Sequence, residues 1–552
     1  MPELRAACII THSMECLSLR SSRLPHTSKL YSCYLDDFPR AARFYAHPPT
    51  EDGLQAAAGD PAKRDDASVR AQMMAILREQ NSKFGADASV LRNLDRLAAG
   101  ALAVVSGQQV GLFSGPAYSF YKALTAVRAA LHLSDTGSET VPIFWLATED
   151  HDLAEVNHTF WLGSGPRLDR ITLAAAEGGA GPPVGEILLG ETSGREARAA
   201  AEALEGPAAK EVGEALLAAY RAEHSYGQAF GMLMARLLAG RGVILLDPLD
   251  ARLHRLGISV YRRALEESEA LSDALLKRNK ELERAGFHAQ VKVTERSTLL
   301  FLNVDGQRQA LRRRNHGFAA GPRTFSLQEL GNILEQSPER FSANVLLRPV
   351  LQDVLLPTAA YVGGPAEVAY FAQAEVIYQR MMGRMPVILP RAGFTLVEPP
   401  VARLMKKYGL TFEEVLRGRQ HVRRKMERAY LPPGLTKKFA AGEKDFTKIL
   451  RGLRAPIGKL DKTLLGALST AERKMLYQFA KLRGKAGRAQ NTRTGLLDAH
   501  ERVLLDALYP HHGLQERSLN LLPFLARNGL ALLDELLRRT HVRNSQHQVL
   551  NL

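Results

Sequence analysis

Four stretches of the sequence bring together residue types that can do chemistry. The first, Ser106-Gly-Gln-Gln-Val-Gly-Leu-Phe-Ser-Gly-Pro116, leads into Tyr118, Tyr121 and Lys122. Gly107, Gly111 and Gly115 permit tight turns and close approach of a ligand to the backbone. A helix starting near Pro116 would aim free N–H groups and the positive end of its dipole at an anion. Gln108, Gln109 and Ser114 offer hydrogen bonds, and Lys122 a charge. The stretch is no Walker loop, because no Gly-Lys-Ser/Thr follows, and it lacks GxGxxG spacing. An ordinary strand-to-helix connection that binds nothing fits the same residues.

The second stretch is Glu149-Asp150-His151-Asp152, continuing to Glu155, Asn157 and His158. Carboxylates beside an imidazole can shift a pKa and supply a general base or acid, or bind a substrate amine. A metal held by His151 and His158 is an alternative, but the spacing is not HExxH; a polar turn with solvated charges is the other. The third runs from Asn344 through Arg348 and Asp353 to Tyr361-Val-Gly363-Gly364-Pro365-Ala-Glu367, with Arg391 further on. Arg348 and Arg391 can clamp carboxylates in bidentate fashion or serve as structural ion-pair partners. The fourth, Gln515-Glu-Arg517 with Asn520, reads as a polar helix start and is assigned no chemistry.

The elements around these stretches must position them. Residues 68–98 have helical spacing, Ala101–Ser106 reads as a buried strand, and about Tyr118 to His132 as a helix. A second strand signal, Val141-Pro-Ile-Phe-Trp-Leu-Ala147, ends at the acidic stretch, and Gly242–Asp247 is a third. Strands alternating with helices predict an α/β fold with a parallel sheet, whose ligands collect beyond the carboxyl ends of the strands. A Gly/Pro-rich loop over 174–192, helices over about 193–240 and a β hairpin over 286–305 interrupt it. From about 396 the pattern becomes helical. Leu464, Leu468, Ala471, Met475, Phe479 and Leu482 recur at spacings of three and four, and Leu497, Leu504 and Leu508 continue the stripe, predicting an antiparallel arm or short coiled coil. The expected division is therefore a core over 1–395 with insertions at about 165–240 and 285–340, an arm over 396–499, and a return to the core over 500–552.

Charge sorts the partners. The 552 residues carry 73 Lys and Arg against 58 Asp and Glu, a net +15, which invites an anionic partner. Residues 401–500 hold 24 of those bases against 8 acids, so the arm contains the whole excess. Its aromatics do not alternate with bases as a stacking platform would, and no zinc finger or RRM signature occurs, which argues against nucleic acid. No apolar run has membrane-spanning length, and the Ala6–Ile10 patch is too short for a signal peptide. Cys8, Cys16 and Cys33 form no CxxC pair, so no metal site is expected and a cytoplasmic location with reduced thiols is.

On the stretches 106–126, 141–159, 344–373 and 514–520 the sequence resembles the bacillithiol biosynthesis cysteine-adding enzymes, the BshC family. The likeness runs from about Lys29 to the C-terminus. It implies a Rossmann-like parallel-sheet core bearing inserted connecting segments, and an α-helical coiled-coil arm that supports a homodimer. It implies the last step of bacillithiol synthesis, in which L-cysteine is joined through an amide bond to the amine of glucosaminyl-malate. The core is similar to that of class I aminoacyl-tRNA synthetases, which sets the Gly107–Pro116 loop where a nucleotide is handled. Family members are associated with a nucleotide near the arm, so ATP or ADP is expected. The two malate carboxylates suit Lys122, Arg348 and Arg391. Ser106 and Ser114 stand where threonines are common in the family, and the first 28 or so residues match poorly. A start at Met14 would remove Cys8.

In the mechanism this implies, the cysteine carboxylate is activated as a phosphate or adenylate and attacked by the amine. His151 or Asp152 is the candidate base, with Asp150 beside them. Gln108, Gln109 and the glycine loop orient the activated group. Tyr118, Asn157, His158, Gly363 and Gly364 complete the binding set. The rivals are a catalytically silent protein whose basic arm binds an acidic partner, and a ligase for a different amino sugar or amino acid.

Overall fold

The computed structural model describes residues 16–59, 67–163, 168–173, 182–314, 317–431 and 433–552. Met14, Cys8 and most of the Gly/Pro-rich loop lie outside these residues.

Five short apolar segments make the central sheet: β1 (Leu102–Gln109), β2 (Thr140–Ala147), β3 (Ile244–Leu246), β4 (Thr358–Gly363) and β5 (Val387–Pro390). They lie in the order β5-β4-β1-β2-β3, all parallel. Near-continuous hydrophobic sequence is what such strands require, because both faces are covered. Ile143 and Trp145 pack into the core on one face, and Phe144 and Leu146 into that on the other. The chain moves outward from β1 to β3, then returns to place β4 on the opposite side of β1. This is the Rossmann-like order, and the crevice at the carboxyl ends of β1 and β4 is its switch point.

Three helices and an inserted sheet set the crevice walls. Helix α1 (Tyr118–Asp135) follows β1, and helix α2 (Arg348–Leu355) precedes β4. Helix α3 (Pro365–Met381) begins directly after β4, with proline in its first turn, where the missing N–H costs nothing. Between β3 and β4 a five-stranded antiparallel sheet is inserted, centred on Ser297–Val304 and Gln307–Arg314. The hairpin expected over 286–305 is therefore shifted: Gln290–Thr294 is not a strand, and Ser297–Val304 pairs with the segment after it. The connection from β2 to β3 carries a short hairpin and helices Gly190–Glu202, Ala209–Ala219 and Tyr226–Leu237.

Beyond Val397 the chain becomes helical. Helix α4 (Arg419–Ala429) precedes two long helices, α5 (Pro433–Leu460) and α6 (Leu464–Thr494), which form an antiparallel hairpin through the turn at Asp461. Gly442 allows this closeness, because a Cβ there would stand 2.7 Å from the Phe479 ring. The apolar stripe does not continue as the sequence predicts. Gly495, in the left-handed conformation, separates α6 from α7 (Leu496–Leu508), and Leu497, Leu504 and Leu508 are buried in the body. Within the arm, Phe479 packs on Phe439 and Phe446, whereas Met475 and Leu482 face solvent. The final strand, Gln546–Asn551, lies between Cys16–Arg20 and Gly393–Val397 and returns the C-terminus to the body. Among the described residues no helix is long and apolar enough to cross a membrane.

Candidate active site

A cavity of about 610 Å³ opens at the switch point. The end of β1 forms one wall. A Cβ at Gly107 would meet the Trp145 carbonyl oxygen at 2.6 Å, so only glycine lets β1 and β2 approach here. Lys122, from α1, turns back to donate to the Gly107 carbonyl at 2.8 Å, to Gln108 Oε1 at 2.9 Å and to Glu367 at 2.6 Å. Gln108 in turn donates to the Tyr118 hydroxyl at 2.9 Å. Gln109 reaches the segment after β2, donating to Asp150 at 2.9 Å and Glu155 at 2.8 Å. Asp150 also accepts from the His151 backbone N–H at 2.8 Å, so the acidic turn is a fixed structure rather than a solvated loop.

The opposite wall comes from the inserted sheet, α2 and the start of α3. The Asn344 side chain accepts from the backbone N–H groups of Leu346 and Leu347, which sets the turn into α2. Arg348 then lies over the Trp145 and Tyr361 rings and donates to Gln352 at 3.0 Å. Arg308 is stacked 3.7 Å above Phe301 and donates to Ser342 at 2.8 Å. Glu367 accepts from the Gly364 N–H and the Tyr361 hydroxyl, both at 2.7 Å. Burial pushes the Glu367 carboxyl up, but Lys122 and these two donors hold it below its ordinary value.

Charge is distributed unevenly over this wall. Lys122 and Arg391 arrive already neutralised, Arg391 by a 2.6 Å pair with Glu516. Among the described residues Arg308, Arg348 and Arg517 line the cavity with no carboxylate within 4.0 Å. The unneutralised positive charge is therefore carried by these three guanidinium groups, not by the trio Lys122, Arg348 and Arg391 read from sequence. Planar guanidinium forks suit carboxylate or phosphate. Besides Glu367, which Lys122 neutralises, two acids share the cavity wall with them: Asp150, and Glu149, whose carboxyl burial raises while His254, Arg308 and Arg348 oppose.

The structure brings Gly107, Gln108, Gln109, Tyr118, Lys122, Asp150, His151, Arg348, Gly364 and Arg391 to the cavity wall. Gly111, Ser114, Gly115, Asp152, Asn157, His158 and Gly363 do not line it. Asp152 caps the short helix Leu153–Val156, Asn157 donates to the Leu173 carbonyl, and His158 pairs with Thr172. His151 and His158 thus stand on different elements, one on the cavity and one in a hairpin. Ser114 is wholly buried, and its hydroxyl has no hydrogen-bond partner among the described residues. Most N–H groups at the start of α1 are already taken. The Ala117 N–H is taken by the Leu519 carbonyl, and the next turn is closed on Pro116 and Ala117. The helix start that meets the cavity is that of α3, at Gly364 and Pro365.

The C-terminal stretch, given no chemistry on sequence, builds this site. Gln515 bridges the Leu396 and Ala507 backbones, Glu516 locks Arg391 and the Phe394 N–H, and Arg517 enters the cavity. Arg308 had no local signal, because its strand meets the cavity only through the tertiary fold.

A second, smaller cavity of about 500 Å³ lies at the root of the arm, lined by Tyr408, Glu414, His421, Arg424, Lys425, Arg428 and Arg483. It shares no residue with the first.

Comparison with known proteins agrees with this layout. Residues 13–392 match the model of the BshC N-terminal Rossmann-like domain of bacillithiol biosynthesis, and residues 394–552 that of the BshC C-terminal coiled-coil domain. A relative from Koribacter versatilis, named "Putative cysteine ligase BshC", is 41% identical over 95% of this chain and 97% of its own length. Relatives of the same name from Solibacter usitatus and Bacillus cytotoxicus are 38% and 27% identical, over 97% and 89% of this chain and 100% and 92% of theirs. The chain therefore belongs to the BshC family of bacillithiol biosynthesis.

Proposed function

We propose that the protein is a cytoplasmic cysteine ligase that joins L-cysteine to the amine of glucosaminyl-malate in the last step of bacillithiol biosynthesis. The observation that carries the reading is the convergence of Arg308, Arg348 and Arg517, without carboxylate partners among the described residues, on one cavity beside Glu149, Asp150 and His151. A malate moiety presents two carboxylates to such a set, and the acids and imidazole can receive the proton an ammonium must lose before it attacks. Amide formation needs an activated carboxyl, and ATP is the expected source, through an acyl phosphate or adenylate. The cavity at the arm's root fits a nucleotide by its donors: Arg424 and Arg428 have no carboxylate within 4.0 Å among the described residues, and Tyr408 supplies an aromatic face. The exposed apolar side chains of the arm support a homodimer through α5 and α6.

The test is incubation with cysteine, glucosaminyl-malate and ATP, with mass detection of the conjugate and a parallel reaction lacking ATP. The conjugate should form only with all three. No conjugate with cysteine, but product with another amino acid or amino sugar, would replace the substrate assignment.

A further inference from the structure

Behind the cavity wall Glu149 has a partner that the ligase scheme leaves unused. Glu149 lines the cavity yet is only 9% exposed. Its Oε1 stands 3.7 Å from Nε2 of His254, a buried residue on the helix Ala251–Leu256. The other ring nitrogen settles the tautomer. His254 Nδ1 lies 3.0 Å from the Phe341 carbonyl oxygen, which can only accept, so Nδ1 carries a hydrogen. The Tyr261 hydroxyl oxygen, 3.2 Å from the same nitrogen, packs beside that bond.

With Nδ1–H fixed, a neutral His254 presents a bare Nε2 lone pair to a carboxylate oxygen. Two acceptors facing each other away from water repel, and a single proton between them removes the repulsion. The pair is therefore built to take up one proton, and it opens to the cavity through Glu149. Other elements surround it with charge. Arg308 comes from the inserted sheet, Arg348 from α2, Asp247 from the end of β3 and Tyr261 from the helix Ile258–Glu266. Burial raises the Glu149 carboxyl, the direction a proton acceptor in a cleft requires.

Resting on the ligase reading, we propose that the Glu149–His254 pair, rather than His151 or Asp152, accepts the proton of the substrate ammonium. One N–H bond of the ammonium breaks, and the proton passes to a Glu149 oxygen, with His254 Nε2 3.7 Å away to stabilise the protonated pair. The nitrogen keeps the electron pair and bonds to the carbonyl carbon of the activated cysteine, an acyl phosphate or adenylate. The carbon–oxygen bond to the phosphate leaving group then breaks, and the second amine proton departs with that group. Glu149 is the catalytic residue and His254 the positioning residue.

Two measurements on the full-length protein test this. Infrared titration reads the pair without turnover. Besides the band of Asp247, a second carboxylic-acid band titrating above the ordinary carboxylate range should be present; it should persist in Asp247→Asn, be absent from Glu149→Gln and move in His254→Gln. In turnover, Glu149→Gln should lower kcat by about 100-fold with KM little changed, and its rate should climb with pH as solvent deprotonates the amine. If that variant does not fold, Glu149→Asp keeps the charge at a shorter reach and should show the same slowed, pH-dependent turnover. The absence of a carboxylic-acid band that is lost in Glu149→Gln, or wild-type kcat and pH profile in that variant, overturns the proposal. If the wild-type protein makes no conjugate while the band titrates as expected, the ligase reading falls, and with it the ammonium as proton source; the proton-holding pair stands.

Discussion

Asn520 donates through Nδ2 to the carbonyl oxygen of Phe113 at 2.7 Å, joining the C-terminal segment to a turn in which Phe113 and Ser114 both have left-handed backbone (φ 53° and 74°). The same amide reaches the Gly115 carbonyl and the Thr159 hydroxyl, and its oxygen accepts from the Leu522 N–H. Non-glycine residues hold such φ values only where surrounding contacts over-determine them. The loop after β1 is thus shaped by residues about four hundred positions away.

Replacing Asn520 with alanine strands several buried backbone groups at once. The expected loss is about 3 kcal/mol of unfolding free energy, at roughly 1–3 kcal/mol for each buried unsatisfied group with incomplete additivity. Urea unfolding measures it, and a loss within about 0.5 kcal/mol of zero contradicts the clamp. Ser114→Ala, which removes a buried hydroxyl without a partner, should leave stability unchanged or raise it.

The arginines at the cavity should separate into two behaviours. Arg348→Ala removes a cation with no carboxylate of its own, so the fold should survive. KM for the dicarboxylate substrate should then rise about 10- to 100-fold, the worth of a hydrogen bond to a charged group. Arg391→Ala instead leaves the buried Glu516 carboxylate unpaired, at about 3–5 kcal/mol of stability. Steady-state kinetics and thermal melting of the two variants decide. Equal melting temperatures would contradict the division.

Asp247 gives a pH test with a defined sign. Burial pushes its carboxyl from an ordinary 3.8 to about 6, against hydrogen bonds from Thr148 and the Leu249 N–H. Between those two values the native state keeps a proton that the unfolded chain has lost, so stability falls as pH rises, by up to about 3 kcal/mol. Asp247→Asn keeps an acceptor oxygen and cannot ionise. It should match the wild type below pH 4, exceed it at pH 7 and flatten the slope between; parallel denaturation curves over that range would refute the assignment.

The sequence carries the strands and the helix after β1 because long buried runs and helical spacing are local signals. Glu149 through His151 were legible as a reactive turn for the same reason, since polar residues end an apolar strand. Arg308, Glu149's partner His254 and the role of Arg517 were not, because each reaches the cavity from a separate element and no local spacing records that meeting. The glycine loop misleads for the converse reason. Gly111, Ser114 and Gly115 have the composition of a ligand cradle, yet the Leu519 carbonyl and Asn520 fill the place an anion would take.

The proposed nucleotide site at the arm's root has its own test. Arg424→Ala with Arg428→Ala should weaken ADP binding by about tenfold or more in calorimetry, because each removes a cation able to make a charge-assisted hydrogen bond to phosphate. Arg348→Ala should leave it unaffected, since the two cavities share no residue. The reverse pattern would move the nucleotide to the switch point.

The arm's outer surface predicts its own association. Ile449 is 60% exposed, Leu460 81%, Tyr477 62% and Leu482 55%, all on α5 and α6, whose mutual packing uses Phe439, Phe446 and Phe479 instead. Exposed apolar side chains on a long helical hairpin are what a second copy covers in a two-fold contact. The flanking lysines and arginines keep the arm soluble but repel a like-charged partner, so association should strengthen with salt, opposite to a nucleic-acid contact. Ile449→Lys with Tyr477→Lys places four cations in that contact, counting both copies, and should raise the dimer dissociation constant by about 100-fold or more while leaving thermal unfolding of the body in place. Sedimentation of wild type and variant over a salt series reads both effects. A variant that stays dimeric, or a wild type that is monomeric at every salt concentration, removes the arm as the dimer interface.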